Sequence, residues 1–276
     1  MPSSRLMFVA LACALASPAS AEGEAPVRLA PHRVVYDLTL DMSRGARTIE
    51  GGRGRIAFEL TGNPCEGYNL NYRQVTVLES SETGTKMSDL RSTNRESGDG
   101  ATFRFRNDTR GPGEPSLVEG EAERDGARAL TVRLKRPKRD TLEVEGEVVF
   151  PNTQMRDLIA AARAGKTTLA ERLFDGSDDG RKAYETLAVI GKRIESGAGE
   201  DLEEAARQPG LRALARWPVT LSYFNPGRND AAPAYVLGFE VYENGVSRAL
   251  RLDYGDFAFR GEMKRLDLLP DRACGK

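Results

Sequence analysis

Histidine is almost missing from this chain. His32 is the single copy in 276 residues, beside one tryptophan and three cysteines. A serine–histidine–aspartate engine would have to be built on His32, which opens a strand-like segment, and no Gly-x-Ser-x-Gly nucleophile elbow accompanies it. Zinc needs three or four ligands, and His32 is the only soft donor available beside the cysteines. Charge of one sign is also lacking, with 40 Lys+Arg against 41 Asp+Glu. Nucleic acid is therefore not an expected partner. Beyond the N-terminus no apolar run approaches the ~18 residues of a membrane-spanning helix. No flexible linker or internal repeat divides the chain. No cofactor and no metal is expected.

What is present begins with an export signal. Arg5 precedes an apolar run from Leu6 to Leu15, and Ser17-Pro18-Ala19-Ser20-Ala21 follows with the small residues that signal peptidase reads. Cleavage after Ala21 is expected, with residues 1–21 as signal peptide and 22–276 as one mature domain outside the cytoplasm. Cys13 lies inside the apolar run and leaves with it. Its flanks, Ala10-Leu11-Ala12 and Ala14-Leu15-Ala16, suit a lipoprotein acylation site poorly. Cys65 and Cys274 remain. In an oxidising space they are expected to form one disulfide, the alternative being two buried free thiols. The bridge would close a loop of about 210 residues and remove up to about 5 kcal/mol of unfolded-state freedom.

The dominant period is two. Val34, Tyr36, Leu38 and Leu40 share one face of the first segment, while Arg33, Asp37, Thr39 and Asp41 take the other, as in a half-buried strand. Residues 54–60, 68–78, 85–96, 101–107, 116–123, 128–134 and 142–150 continue the alternation. Gly98-Asp99-Gly100, Gly111-Pro112-Gly113 and Arg124-Asp125-Gly126 supply turns between them. Residues 153–164 break the pattern with Met155, Leu158, Ile159 and Ala162 at helical spacing, Asn152 or Thr153 as cap and Gly165 as stop. Strands resume at 168–174 and 183–190, a short surface helix is expected at 200–207, and four strands follow at 217–224, 234–242, 246–254 and 257–268. Glu243-Asn244-Gly245 signals a type I′ hairpin. The expected class is all-β, mainly antiparallel, with one or two short helices.

Several motifs have plainer readings beside the functional ones. Ala160 to Gly165-Lys166-Thr167 matches a loose phosphate-loop pattern, but a helix precedes the glycine where a strand is required. Asp175-Gly176-Ser177-Asp178-Asp179-Gly180 copies the start of a calcium loop, yet Thr186 stands where the bidentate glutamate belongs, so an acidic hairpin turn is expected. Lys135-Arg136-Pro137-Lys138-Arg139 could touch anionic lipid at a membrane surface, and serves equally as a turn tip.

Taken together, certain stretches resemble a known family. They are Leu29-Ala-Pro-His-Arg-Val-Val-Tyr-Asp-Leu38, Cys65-Glu-Gly-Tyr68 with Arg73-Gln-Val75, Ser88-Asp-Leu-Arg-Ser-Thr93, Phe174 to Gly180, Leu187-Ala-Val-Ile-Gly191, Trp217-Pro-Val219, and the long block from Tyr242 to Phe257. They resemble the EipB family of cell envelope integrity proteins, periplasmic proteins of alphaproteobacteria once grouped only as a domain of unknown function. The resemblance implies an overlapping β-spiral or half-barrel, one internal disulfide (here Cys65–Cys274), a role in keeping the envelope intact, and no enzymatic activity. Residues 196–211 match none of it and are expected to form a variable surface insertion.

The expected function is a periplasmic, non-enzymatic envelope factor. It would bind a lipid or lipoprotein ligand, or a periplasmic envelope protein, on the concave face of a curved sheet, with peripheral contact at the membrane surface. Tyr36, Leu38, Phe58, Tyr72, Phe103, Phe239, Tyr242 and Phe257 are the expected lining. The competing class is an envelope hydrolase acting on lipid or peptidoglycan, which would need a carboxylate pair exposed in a cleft.

Overall fold

The computed structural model describes residues 26–44, 49–126, 129–198, 201–227, 232–272 and 274, so the expected signal peptide, residues 1–21, lies outside the described residues. The alternating segments form β1 (His32–Ser43), β2 (Ile49–Asn63), β3 (Gly67–Ser80), β4 (Gly84–Glu96), β5 (Thr102–Arg110), β6 (Ser116–Asp125), β7 (Ala129–Arg136) and β8 (Asp140–Glu145). A helix, α1 (Pro151–Arg163), intervenes. Then follow β9 (Thr168–Leu173), β10 (Tyr184–Ile190), a short helical passage, β11 (Arg216–Phe224), β12 (Tyr235–Tyr242), β13 (Ser247–Asp253) and β14 (Phe257–Leu268). Each run is an antiparallel meander. The two meanders join where β1 pairs with β14, giving one sheet in the order β8-β7-β6-β5-β4-β3-β2-β1-β14-β13-β12-β11-β10-β9.

The sheet curls without closing. Beyond β8, Val149 bridges Leu173 in parallel; its amide donates to the Arg172 carbonyl (2.8 Å) and its carbonyl accepts from the Phe174 amide (3.0 Å). Curling gathers alternate side chains inward and splits the core in two. The larger part joins β1, β2, β10–β14 and α1 around Leu38, Ile159, Trp217, Val241 and Phe259. The smaller lies under β5–β8 around Phe103, Phe105, Phe150 and Phe174.

α1 starts two residues earlier than the spacing predicts, with Pro151 in its first turn, where proline's missing N–H costs nothing. Neither Asn152 nor Thr153 caps it. Glu96, at the end of β4, does so from 56 residues away: its carboxylate accepts the Asn152 and Thr153 amides (2.8 Å each) and the Thr153 hydroxyl. At the other end Gly165 takes φ +72°, and the Gly165 and Lys166 amides return to the Ala162 and Ala161 carbonyls. That helix stop accounts for the phosphate-loop likeness.

Two further expectations change. The 243–245 turn is not type I′, because only Gly245 has positive φ (+85°). Gly245 donates to the Tyr242 carbonyl and the Tyr242 amide to Val246, a three-residue loop with a glycine bulge. The 196–211 segment is not a mere surface insertion. It forms a 3₁₀ turn (Glu204–Arg207) and one turn of helix, α2 (Pro209–Arg212), burying Leu202, Ala206 and Leu211. Glu203 accepts from the Arg248 guanidinium and from the Ala249 amide, which a bulge in β13 (Ala249 φ +50°) frees from the ladder. Cys65 and Cys274 are bonded, with Cα atoms 5.8 Å apart.

Candidate ligand-binding site

Between the inner faces of β3–β6 and the ends of β10–β13 lies a trough of about 920 Å³. This is the size of a small-molecule site. Strand alternation determines what each wall shows. One wall carries Tyr72 and Gln74 of β3, Ser92 and Asn94 of β4, and Asn107 and Thr109 of β5. The opposite wall carries Tyr184 of β10, Tyr223 of β11, Tyr235 of β12 and Tyr254, the residue after β13.

These four tyrosines form a continuous strip. Tyr223 and Tyr235 are register partners. Ring centroids lie 6.0 Å apart from Tyr184 to Tyr223, 5.6 Å from Tyr223 to Tyr235 and 5.0 Å from Tyr235 to Tyr254. Phe257, 5.0 Å from Tyr254, links the strip to the core. Gln74 ties the walls together: its amide nitrogen donates to the Tyr254 hydroxyl (3.0 Å) and its oxygen accepts from the Tyr72 hydroxyl (2.5 Å). Burial pushes the phenols of Tyr72, Tyr223, Tyr235 and Tyr254 above their ordinary value, so they stay neutral hydroxyls.

The acidic turn closes one end. The Lys182 ammonium meets Asp178 (2.7 Å) and Asn225 Oδ1 (3.0 Å) and sits 4.8 Å from the centre of the Tyr184 ring. The Tyr184 hydroxyl donates to Asp178. Asp175 accepts the Ser177 amide (2.9 Å), and burial raises its pKa. Asp179 accepts the Arg181 amide (3.1 Å). The turn's carboxylates thus point to separate protein donors. Among the described residues no group of three or more His, Cys, Asp or Glu is disposed to hold a metal. The turn's glycines answer to packing: a Cβ on Gly176 (φ +69°) would lie 2.3 Å from the Phe105 ring.

The chain and its fold have known counterparts. The EipB-like family model matches residues 23–270. The chain belongs to the EipB-like family. Cell envelope integrity protein EipB of Brucella abortus (strain 2308) is 35% identical over 257 residues, covering 90% of this chain and 88% of that protein. A crystal structure from Brucella abortus, described as a β-barrel-like protein of domain of unknown function DUF1849, superposes with a TM-score of 0.80 at 36% identity. It covers 88% of this chain and all of that one.

Within this EipB-like fold the eight residues read from the sequence disperse. Tyr72 alone lines the trough. Tyr36, Leu38, Phe239 and Tyr242 are buried in the larger core and Phe103 in the smaller one. Phe58 is half-buried and stacks on His32 (5.2 Å), whose pKa burial lowers. Phe257 is half-buried behind Tyr254. Sequence reading missed Gln74 and the tyrosine strip. The available signal was a tyrosine beside a turn on four successive strands, which antiparallel stacking brings to one end of the sheet.

Proposed function

We propose that this EipB-like protein is an exported, non-enzymatic factor that maintains the cell envelope by holding a lipid-like ligand in the trough of its open sheet. The observation that carries the reading is the trough of about 920 Å³ between two walls of unlike chemistry. The relative named for cell envelope integrity supports the envelope role. The Cys65–Cys274 bond and the N-terminal signal support a periplasmic address. The trough's own carboxylates, Asp175 and Asp178, are engaged by the Ser177 amide and by Lys182 with Tyr184, which favours binding over catalysis. Native mass spectrometry of protein purified from the periplasm without detergent tests the proposal. A co-purifying amphiphile is expected, displaced by an excess of a fluorescent fatty acid. Protein that carries none and takes up no fatty acid probe overturns the reading.

A further inference from the structure

Holding a ligand is one matter; what the trough distinguishes is another. We infer that the trough recognises a glycosyl unit, carried as the head of a lipid or as part of a free glycan. This deepens the proposed function and rests on it.

Four observations converge. The first is the tyrosine strip. A pyranose ring presents C–H faces and a rim of hydroxyls, and the electron-rich face of a neutral aromatic ring attracts such C–H groups. Tyr184, Tyr223, Tyr235 and Tyr254 offer a row of rings at one end of β10–β13, and each ring carries a hydroxyl able to donate and accept.

The second is the facing wall. Gln74, Ser92, Asn94, Asn107 and Thr109 line it beside Leu70, Leu90 and Val118. Amides and hydroxyls both donate and accept, as a polyol demands. Gln74 is held by Tyr72 and Tyr254 and Asn107 by the Gly176 carbonyl; an acyl chain would leave Ser92, Asn94 and Thr109 unmatched, and unmatched buried polar groups are costly.

The third is Asn94. It is 7% exposed, it lines the trough, and its Oδ1 has no hydrogen-bond partner. The oxygen is enclosed, and a turn of the Asn94 amide toward the cavity would let a donor on the ligand match it. A sugar hydroxyl is such a donor; a fatty acyl tail is not.

The fourth is charge. Lys182 is already engaged by Asp178 and Asn225, and Asp175 by the Ser177 amide. Among the described residues the trough therefore offers no free cation to a carboxylate or phosphate head. Its chemistry suits a neutral, hydroxyl-rich group.

The test uses the exported chain with its disulfide intact. Probes are chitotetraose, lipid nanodiscs with and without a glucosyl diacylglycerol, and cis-parinaric acid. Tyrosine fluorescence and two-dimensional NMR report binding. The wild type should bind chitotetraose or the glucolipid nanodiscs. Tyr223→Leu with Tyr235→Leu should weaken that binding at least about tenfold, and by a larger factor than it weakens cis-parinarate uptake. Because the double variant removes two packed rings, Asn94→Leu serves as the second variant. It should keep its melting temperature within about 2 °C and still lose about tenfold in sugar affinity. Binding of the soluble sugar identifies a free glycan as sufficient; binding of the glucolipid alone identifies the lipid head. Uptake of cis-parinarate without either sugar overturns the glycosyl inference and leaves the proposed function standing. Uptake of no probe overturns both. Sugar binding unchanged in both variants also overturns the inference.

Discussion

Two clusters of aromatic rings, one in the smaller core and one along the trough, do different work. Phe103, Phe105, Phe150 and Phe174 pack with centroid separations from 5.0 to 6.3 Å and are 0–3% exposed. No atom in that cluster asks for a hydrogen bond. Tyr184, Tyr223, Tyr235 and Tyr254 pack at similar separations, yet all are half-buried and line the cavity. Ring area is the same currency in both. The hydroxyl decides the difference, because a phenol tip needs a polar partner and so is stable where a ring meets water or ligand. The phenylalanines hold the fold together; the tyrosines face the cavity.

The comparison can be broken at its strongest point. Phe150→Ala should remove about 3–5 kcal/mol of stability, since a fully buried ring leaves a cavity that neighbours fill only in part. Tyr223→Phe, which keeps the ring of the strip, should change stability by less than about 0.5 kcal/mol. Urea denaturation of the pair measures both, and equal losses would erase the distinction. The next effect is the disulfide, which anchors Cys274 to the 63–66 turn against which Gly98 packs, beside the Glu96 cap of α1 and so close to the phenylalanine side. Cys65→Ser with Cys274→Ser should cost about 2–4 kcal/mol, seen as melting several degrees lower. Unchanged melting would refute a stabilising role. The smallest effect concerns pH. Burial, with Asp157 beside it, lifts Glu171 from its ordinary value to about 7. A carboxyl raised in the folded state adds stability that is complete below about pH 4.5 and fades as pH climbs through about 7. Glu171→Gln should flatten that decline and stabilise the protein at pH 8 by about 1–2 kcal/mol, discounted for partial solvent exposure. The phenols of the strip stay neutral over the same range and add no slope of their own.

Strand positions were legible because alternation is local. The last four strands fall within two residues of the segments read from the pattern, β14 (Phe257–Leu268) among them. The cap of α1 was not legible, because Glu96 stands 56 residues away and local capping rules look only at neighbours. The burial of Leu202, Ala206 and Leu211 was obscured in the same way: a thin apolar pattern buries well when Arg248 and a β13 bulge anchor Glu203 beside it. The candidate site suffered most. Alternation tells which residues face inward, but an inward face is core at one end of a strand and trough at the other. Phe239 and Tyr235 share β12 and face the same way; the first is core and the second lines the cavity.

The order of residues alone determined the all-β class, the glycine and asparagine turns and the two cysteines that could pair, since each rests on neighbours along the chain. Only the tertiary structure decided that β1 lies against β14, and that a glutamate caps a distant helix. It alone gathered four tyrosines from four strands onto one wall facing amides from the other. Those outcomes depend on how far the sheet curls before its edges meet, a property of all fourteen strands packed together and of no single segment.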